Sequence, residues 1–314
     1  MTNEMAVCQV AFSVLDLRRT MSWYQEVLGF LPSGGSTDQG GPEAAAMQGL
    51  PVCRLDMAWM VGRQDFFQLE FFRYHEPRPA PRRPDAHPSD LGWAAIGLWV
   101  ADFDKVVHRL GEAGTPPATP VTGSAPGRRV GVRDPEGVLL EIMESDVHLP
   151  GAELTGVARP EADVAVRFAR LVVRDIGQTR TFFEEALGFA EAGQPLHDAS
   201  HEPLWLGEPP QETLLLRAGH FLLELVSYPD SRDRPEGYLI SDQGLLNIAL
   251  GSRHTEDYRR LLSRARDSSA TVHGELRIGS AAASYLTGPG GISVELLTIP
   301  DLAIERAAGF HPLE

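Results

Sequence analysis

An internal repeat of half-chain length constrains the possible folds of this sequence more than any other feature. The segment "VAFSVLDLRRTMSWYQEVLGF" at residues 10–30 aligns without a gap with "ARLVVRDIGQTRTFFEEALGF" at residues 169–189. Gly29 of the first copy corresponds to Gly188 of the second, an offset of 159 residues in a chain of 314. A repeat of this length indicates domain duplication rather than a solenoid of short units.

Each half of the chain begins with a strand followed by a helix. Asp16 is a plausible N-cap for the first helix, and Gly29 lies where that helix should end. Three further strands are predicted around residues 44–49, 52–62 and 65–74, which gives the order β-α-β-β-β. We call residues 10–74 module one.

The same order of elements recurs along the chain, first in a shorter version. Module two, residues 93–145, has a strand running into a helix from Asp102 and then two strands joined by the turn "DPEG". The second half repeats this pattern in module three (169–228) and module four (245–298). The sequence therefore predicts an α+β fold built from four βαβββ modules.

Two segments are predicted to connect these units. Residues 75–90 are proline-rich and separate modules one and two. We predict a first domain over residues 1–146, a linker over 147–162, and a second domain over 163–314.

Composition excludes several classes of function. With 28 Lys and Arg against 43 Asp and Glu, the formal net charge is −15, which argues against nucleic-acid binding. No apolar run approaches the roughly 20 residues of a membrane span, and the first residues do not resemble a signal peptide. Cys8 and Cys53 are the only cysteines, so we expect reduced thiols and a cytoplasmic protein.

The sequence resembles the vicinal oxygen chelate superfamily, which includes glyoxalase I, extradiol dioxygenases, methylmalonyl-CoA epimerase, and the fosfomycin and bleomycin resistance proteins. The resemblance rests on "FSVLDLRRTMSWYQEVLGF", "LVVRDIGQTRTFFEEALGF" and "VRDPEGVLLEI", and it covers nearly the whole chain. It implies that paired modules curl into two cup-shaped, mostly antiparallel sheets. It also implies metal ligands of two kinds: a His near the start of each module's first strand and a Glu on its last.

The glutamates that this resemblance implies are all present. Each lies in an apolar stretch, where a carboxylate is costly to bury unless something pairs with it. We expect them to face into the cups, and the alternative is that they point outward on alternating strands. They are Glu70, Glu141, Glu224 and Glu295.

The histidines are all absent, which departs from the family pattern. Ala95 and Phe168 occupy two of the four positions and cannot bind a metal. Gln9 and Asn247 occupy the other two and offer an amide oxygen. The cofactor is therefore either a divalent metal (Mn, Fe, Ni, Co, Mg or Zn) in a non-standard site, or no metal at all.

The composition of each cup depends on which modules pair, and the sequence leaves two pairings open. Modules one and two could form one cup and modules three and four the other. Alternatively, module one pairs with four and module two with three. The second arrangement brings together four oxygen donors, a set that suits Mn or Mg better than Zn: Gln9, Glu70, Asn247 and Glu295.

Aromatic residues around Glu70 indicate an apolar environment. Strand alternation places Glu70 on the same face as Phe66, Gln68 and Phe72. A buried glutamate there would have a raised pKa and could act as a general base without a metal.

Two functions follow, and both involve a small-molecule partner. The first is a lyase or isomerase that abstracts a proton next to a carbonyl of a small, apolar or aromatic compound, with Glu70 or Glu295 as the base. The second is a metal-free binding protein of the sequestration or resistance type. Retained carboxylates in apolar strands favour the enzyme. We expect a monomer or a homodimer.

Overall fold

The structure is a computed structural model that describes residues 5–147, 154 and 159–313. Most of the predicted linker lies outside the described residues, and the division into domains at residues 1–146 and 163–314 stays a prediction. Among the described residues, no helix is long and apolar enough to cross a membrane.

The chain forms two curled β-sheets of eight and seven strands. The strand order of the first sheet is β13-β14-β15-β12-β1-β4-β3-β2, and that of the second is β6-β7-β5-β8-β11-β10-β9. The strands of the first sheet are β1 (Ala6–Ser13), β2 (Leu31–Gly40), β3 (Arg54–Val61), β4 (Gln68–Glu76), β12 (Gly244–Ser252), β13 (Thr271–Ile278), β14 (Ala281–Thr287) and β15 (Ser293–Thr298). The strands of the second sheet are β5 (Gly92–Val100), β6 (Arg129–Arg133), β7 (Leu139–Met143), β8 (Val164–Val172), β9 (Ala190–Glu191), β10 (Glu212–Ala218) and β11 (Phe221–Ser227).

This strand order shows how the modules pair. Module one pairs with module four in the first sheet, because β1 runs antiparallel to β12 with Ala11 opposite Asn247. Module two pairs with module three in the second sheet, because β5 runs antiparallel to β8. The first and last strands of each module are parallel neighbours, and most other pairs are antiparallel. The predicted α+β architecture of two cups, mostly antiparallel, is confirmed.

The repeated segment forms the same local structure in both copies. The helices are α1 (Leu17–Trp23), α2 (Pro42–Gln48), α3 (Phe103–Glu112), α4 (Ile176–Thr181), α5 (Thr255–Asp267) and α6 (Leu302–Ala307). Asp16 accepts a hydrogen bond from the Arg19 amide (3.0 Å), and Asp175 accepts one from the Gln178 amide (2.8 Å), so both act as N-caps. Helices α1 and α4 each continue into one π-helical turn. Gly29 ends the first copy with a positive φ of 82°.

The strand predicted around residues 44–49 is wrong, because helix α2 lies there. Pro42 occupies the start of this helix, where its missing amide hydrogen is not needed. The following three alanines, Ala44 to Ala46, have high helix propensity. The strand of this part of the module is β2 at Leu31–Gly40, whose glycines and proline concealed it in the sequence.

The convex faces of both sheets pack against helices in one continuous apolar core. Phe12 and Phe71 stack at 5.1 Å on this side of the first sheet, and Tyr24 packs edge-on against Phe71 at 5.0 Å. A separate apolar cluster lines the concave face of the first sheet and includes side chains from α2. Helix α2 therefore covers the concave face.

Candidate functional site

Four of the predicted site residues meet on the concave face of the first sheet, which we call the first cup. They come from four adjacent central strands: Gln9 from β1, Glu70 from β4, Asn247 from β12 and Glu295 from β15. Each is less than a tenth exposed. The expectation that these glutamates face inward holds for Glu70 and Glu295.

The side-chain amide of Gln9 connects the two carboxylates. Its Nε2 donates to Glu70 Oε2 at 2.6 Å and to Glu295 Oε2 at 3.2 Å. Among the described residues, no Lys, Arg or His forms an ion pair with either glutamate. The first cup therefore contains two neighbouring carboxylates supported by neutral donors.

Each glutamate lies directly opposite an aromatic residue on the neighbouring strand. Glu70 is paired in register with Trp59, whose indole Nε1 donates to Glu70 Oε1 at 2.8 Å. Glu295 is paired in register with Tyr285. The two halves of the first cup thus present the same arrangement of an amide, a glutamate and an aromatic ring with a polar atom.

Burial dominates the electrostatics of this pair. It raises the pKa of Glu70 to about 7, although hydrogen bonds from Trp59 and Gln9 oppose the rise. Burial also raises the pKa of Glu295 well above its usual range, and the charge of Glu70 raises it further. Because two close carboxylates resist ionising together, the pair holds one proton near neutral pH.

A second orientation of the amides also satisfies the hydrogen-bonding groups. In the first orientation, Gln68 Nε2 donates to Gln9 Oε1 at 2.9 Å. If the Gln68 amide turns over, its nitrogen donates instead to the carbonyls of Ala308 (3.0 Å) and Gly309 (2.7 Å). Gln9 would then turn with it and present its carbonyl oxygen to the two glutamates. That orientation fits a protonated carboxyl or a cation between them.

The oxygen donors of the first cup are of the type that binds a hard divalent cation. Two carboxylates and two amide oxygens are the ligand type that Mg²⁺ and Mn²⁺ prefer. Neither polar atom of the buried Asn247 amide makes a hydrogen bond of normal geometry within the described residues. Its amide does lie near Tyr285, where it partly opposes the rise that burial causes in the pKa of that phenol. No group of three or more His, Cys, Asp or Glu side chains in the described residues is arranged to hold a metal.

The concave face of the second sheet, the second cup, is built differently. Its two family-position glutamates, Glu141 on β7 and Glu224 on β11, lie on either side of His197. His197 Nδ1 is 2.6 Å from Glu224 Oε1, and His197 Nε2 is 2.8 Å from Glu141 Oε2. Because both ring nitrogens contact carboxylates, the ring is an imidazolium.

Two arginines complete the compensation of charge. Arg170 on β8 donates from Nε to Glu224 at 2.8 Å and stacks over the Trp205 ring at 3.8 Å. Arg129 on β6 contacts Glu141 at 2.9 Å. These cations outweigh the effect of burial, so the pKa values of Glu141 and Glu224 lie below their usual range.

Aromatic side chains pack around the charged cluster of the second cup. Phe168 occupies the position of an absent histidine, and its ring lies against Gly97, where a Cβ would be 1.7 Å from it. His197 packs edge-on to both Phe168 (5.8 Å) and Trp205 (5.0 Å). Glu141 and Glu224 therefore belong to a cluster in which carboxylates and cations of the chain compensate one another.

Several residues of both cups were missed in the sequence. Trp59 and Tyr285 are found only once the strand register is known. Arg170 did carry a signal, because an arginine inside an apolar strand needs a buried partner. His197 lies in a loop between β9 and β10, and nothing local indicates that it reaches the cup.

Comparison with known proteins agrees with this architecture. Residues 8–132 match the family described as the glyoxalase/bleomycin resistance protein/dioxygenase superfamily. The fold is similar to that of a putative dioxygenase from Bacillus subtilis subsp. subtilis str. 168, with a TM-score of 0.66 and 15% identity over 100% of this chain and 92% of that chain. It is also similar to glyoxalase I from Zea mays, with a TM-score of 0.62 and 13% identity over 98% of this chain and 97% of that chain. No curated protein matches the sequence.

The first part of the chain, residues 8–132, thus matches the superfamily that the sequence resemblance predicted. At these levels of identity the two solved structures show the fold alone, so the chemistry has to be argued from the residues of the site.

The same Glu→Gln substitution should cost much more stability in the second cup than in the first. Glu141→Gln and Glu224→Gln should each lower the free energy of unfolding by about 3–5 kcal/mol, because each leaves buried cations without a partner. Glu70→Gln and Glu295→Gln should lower it by less than about 1 kcal/mol, because they remove a poorly compensated charge. Urea unfolding at pH 7 measures all four. Equal losses in both cups would contradict this account.

Proposed function

We propose that this protein is a lyase or isomerase that removes a proton next to a carbonyl in a small, apolar or aromatic compound. The observation that supports this proposal is the contact of one Gln9 nitrogen with both Glu70 and Glu295 in a buried site without a cation. Such a pair offers a base and an acid at the same time, as proton transfer at carbon requires.

The two glutamates would have different roles. Glu70 accepts hydrogen bonds from both Trp59 and Gln9, so it is the better site for the negative charge and would act as the base. Glu295 would hold the shared proton and donate it to the substrate after the enolate forms. The proton taken from the substrate carbon then remains on Glu70, and Glu295 is left ionised. In an isomerase the two glutamates therefore exchange the roles of acid and base in each turnover.

Asn247 would stabilise the developing charge on the substrate oxygen. Its Nδ2 is buried and makes no hydrogen bond of normal geometry among the described residues, so it can donate to an enolate oxygen at the cost of only a weak interaction with Tyr285. A pre-positioned donor of this kind typically lowers the barrier by about 3 kcal/mol.

The surroundings of the pair indicate the class of substrate. Phe72, Tyr74 and Leu246 form part of the apolar cluster on the same concave face. Met47 of α2 packs into this cluster as well, so a substrate reaches the carboxylates only if α2 moves away from the face. The enclosed apolar wall favours a small apolar or aromatic compound.

The same residues would hold a divalent metal. Glu70, Glu295, Asn247 and a turned Gln9 supply its oxygen ligands. Such an ion would act as a Lewis acid on the substrate carbonyl.

A metal-free small-molecule binding protein is the second candidate. The loss of all four family histidines favours it, and so does the apolar face closed by α2. In a binding protein, Glu70→Gln and Glu295→Gln would leave ligand affinity intact. In the enzyme, both substitutions abolish turnover. The cytoplasmic location and the monomeric or homodimeric state stay predictions from the sequence.

Proton abstraction can be tested without knowing the natural substrate. In D₂O, the wild-type protein should exchange the hydrogens next to the carbonyl of phenylacetone, seen as loss of their proton NMR signal. Exchange should rise with pH through about 7, because the base form of Glu70 is required and its pKa is about 7. Glu70→Gln should slow it by about 10²–10⁴-fold.

The control for this assay is Glu26→Gln, which changes an exposed carboxylate outside the cup. Equal exchange in the wild type and Glu70→Gln, both above the buffer rate, would rule out Glu70 as the base. Binding of the ketone without exchange in any protein would favour the second candidate.

The raised pKa of Glu70 predicts a pH-dependent loss of stability in metal-free protein. The folded pKa of about 7 lies above the unfolded value of roughly 4.3, so the folded state holds more protons between these values. The unfolding free energy of the wild type should therefore fall relative to Glu70→Gln as the pH rises from about 4 to 8, by up to about 3 kcal/mol. Chemical unfolding in a chelator at each pH measures the difference. A difference that does not change with pH would contradict the burial of an uncompensated Glu70.

Metal binding can be measured independently. After dialysis against Mn²⁺, we expect one ion per chain by elemental mass spectrometry, because all the donors of the first cup are oxygens. Glu295→Gln should lose this ion, whereas Glu26→Gln should keep it. Equal metal content in both variants would place the ion elsewhere. If the wild type takes up no Mn²⁺, the metal site is ruled out, and proton transfer would depend on the two carboxylates without a metal.

A further inference from the structure

A cleft of about 120 Å³ lies between the two sheets. Two connecting segments line it. The first connector, residues 77–91, joins β4 of the first sheet to β5 of the second. The second connector, residues 228–243, joins β11 of the second sheet to β12 of the first. Both segments cross between the sheets because module one pairs with four and module two with three.

The connectors share a short repeated motif. "SD-x-G" occurs at residues 89–92 and again at residues 241–244, and an arginine lies ten residues before each glycine. Arg82 and Arg234, Asp90 and Asp242, and Gly92 and Gly244 are all related by the same offset of 152 residues.

Backbone contacts of the connectors follow the same relation. The Leu91 amide donates to the Arg232 carbonyl at 3.1 Å, and the Gln243 amide donates to the Ala80 carbonyl at 3.0 Å. Residues 91 and 243, and residues 80 and 232, are again 152 apart. The cleft is therefore formed by two equivalent segments, each bound to the other.

One motif glycine makes room for the arginine of the opposite connector, and the other lies in contact distance of its own opposite arginine. A Cβ on Gly92 would lie 2.9 Å from Arg234 Nη2, and a Cβ on Gly244 would lie 3.7 Å from Arg82 Nη1. Both glycines have a positive φ, 117° and 144°, which residues with side chains rarely adopt. The backbone thus allows two guanidinium groups to approach the same cleft.

The arginines of the cleft have no carboxylate partner among the described residues. Arg83 donates to the Asp233 carbonyl at 3.1 Å, and Arg234 donates to the Gly291 carbonyl at 2.6 Å. Arg82 Nε is buried and makes no hydrogen bond. Burial and the nearby Arg133 lower the pKa of Arg82, which indicates that its charge is poorly compensated.

The acidic residues that line the cleft are engaged elsewhere. Asp90 contacts Arg232 Nε at 2.6 Å, and Asp233 contacts Arg174 at 2.9 Å. Asp242 accepts from the Ala80 amide at 2.8 Å and from the Leu239 amide at 3.0 Å. The cleft arginines are therefore not paired with these carboxylates and remain able to bind a ligand.

We propose that this cleft binds a compact dianion, such as inorganic phosphate, sulfate or a short dicarboxylate. Guanidinium groups recognise the oxygens of these anions through paired hydrogen bonds. The cavity is smaller than the roughly 300 Å³ of a typical organic-ligand pocket, yet it exceeds the space of a few water molecules. The bound anion would join the two sheets through Arg82 and Arg234.

Calorimetric titration of the full-length protein tests this proposal. Sodium phosphate, sulfate and malonate are titrated separately at constant ionic strength, with chloride as the monovalent reference. We expect saturable binding of at least one dianion at one site per chain, and the comparison identifies the preferred chemistry. Arg82→Gln and Arg234→Gln should each weaken binding by about tenfold or more.

Two controls make the result specific. Arg18→Gln removes an exposed arginine outside the cleft and should leave the affinity unchanged. Glu70→Gln should also leave it unchanged, so the outcome does not depend on the chemistry proposed for the first cup. If a glutamine variant does not fold, Arg234→Lys keeps the charge, loses the fork geometry and should still bind more weakly.

The wild type alone can overturn the proposal. Absence of saturable binding for phosphate, sulfate and malonate would do so, whatever the behaviour of the variants. Unchanged affinity in the folded variants of Arg82 and Arg234, or an equal loss in Arg18→Gln, would also overturn it.

Discussion

The cost of burying carboxylates is the constraint on which the rest of this structure depends. Each module carries a glutamate on its last strand, and the curl of the sheets turns all four into concave interiors. An ionised carboxylate taken out of water requires a partner or loses its charge. The second cup supplies partners, with His197 between the two glutamates and two arginines at their outer oxygens. In the described part of the first cup the partners are an indole, a phenol and amides, all neutral, so burial raises the pKa of both carboxylates.

This difference separates two sites that have the same origin. Where the glutamates are paired with cations of the chain, as in the second cup, their charges are compensated. Where they are not, the polar groups remain available for chemistry, since a carboxylate with a raised pKa transfers protons near neutral pH.

The pairing of modules also explains the contact between the sheets. Because module one lies in a different sheet from module two, and module three in a different sheet from module four, the two connectors have to cross from one sheet to the other. Their crossing points repeat the same motif, and each arginine lies against the glycine of the opposite segment. An arrangement with modules one and two in the same sheet would not require these crossings. The arginine-lined cleft is thus a consequence of the topology rather than of either cup.

The sequence alone determined the repeated module, its capped helices and the four glutamates, because these are written in local patterns of apolar spacing, cap residues and turns. The strand that local patterns predict at residues 44–49 is wrong, because a proline at the helix start and high helix propensity favour a helix there. Only the tertiary structure decided which modules pair, that Trp59 and Tyr285 lie opposite the first cup's glutamates, and that His197 neutralises those of the second. Strand register and loop reach depend on contacts between residues far apart in the chain, and no local periodicity records them. The same glutamate at the same position in a module is therefore hydrogen-bonded to neutral groups in one cup and paired with cations in the other.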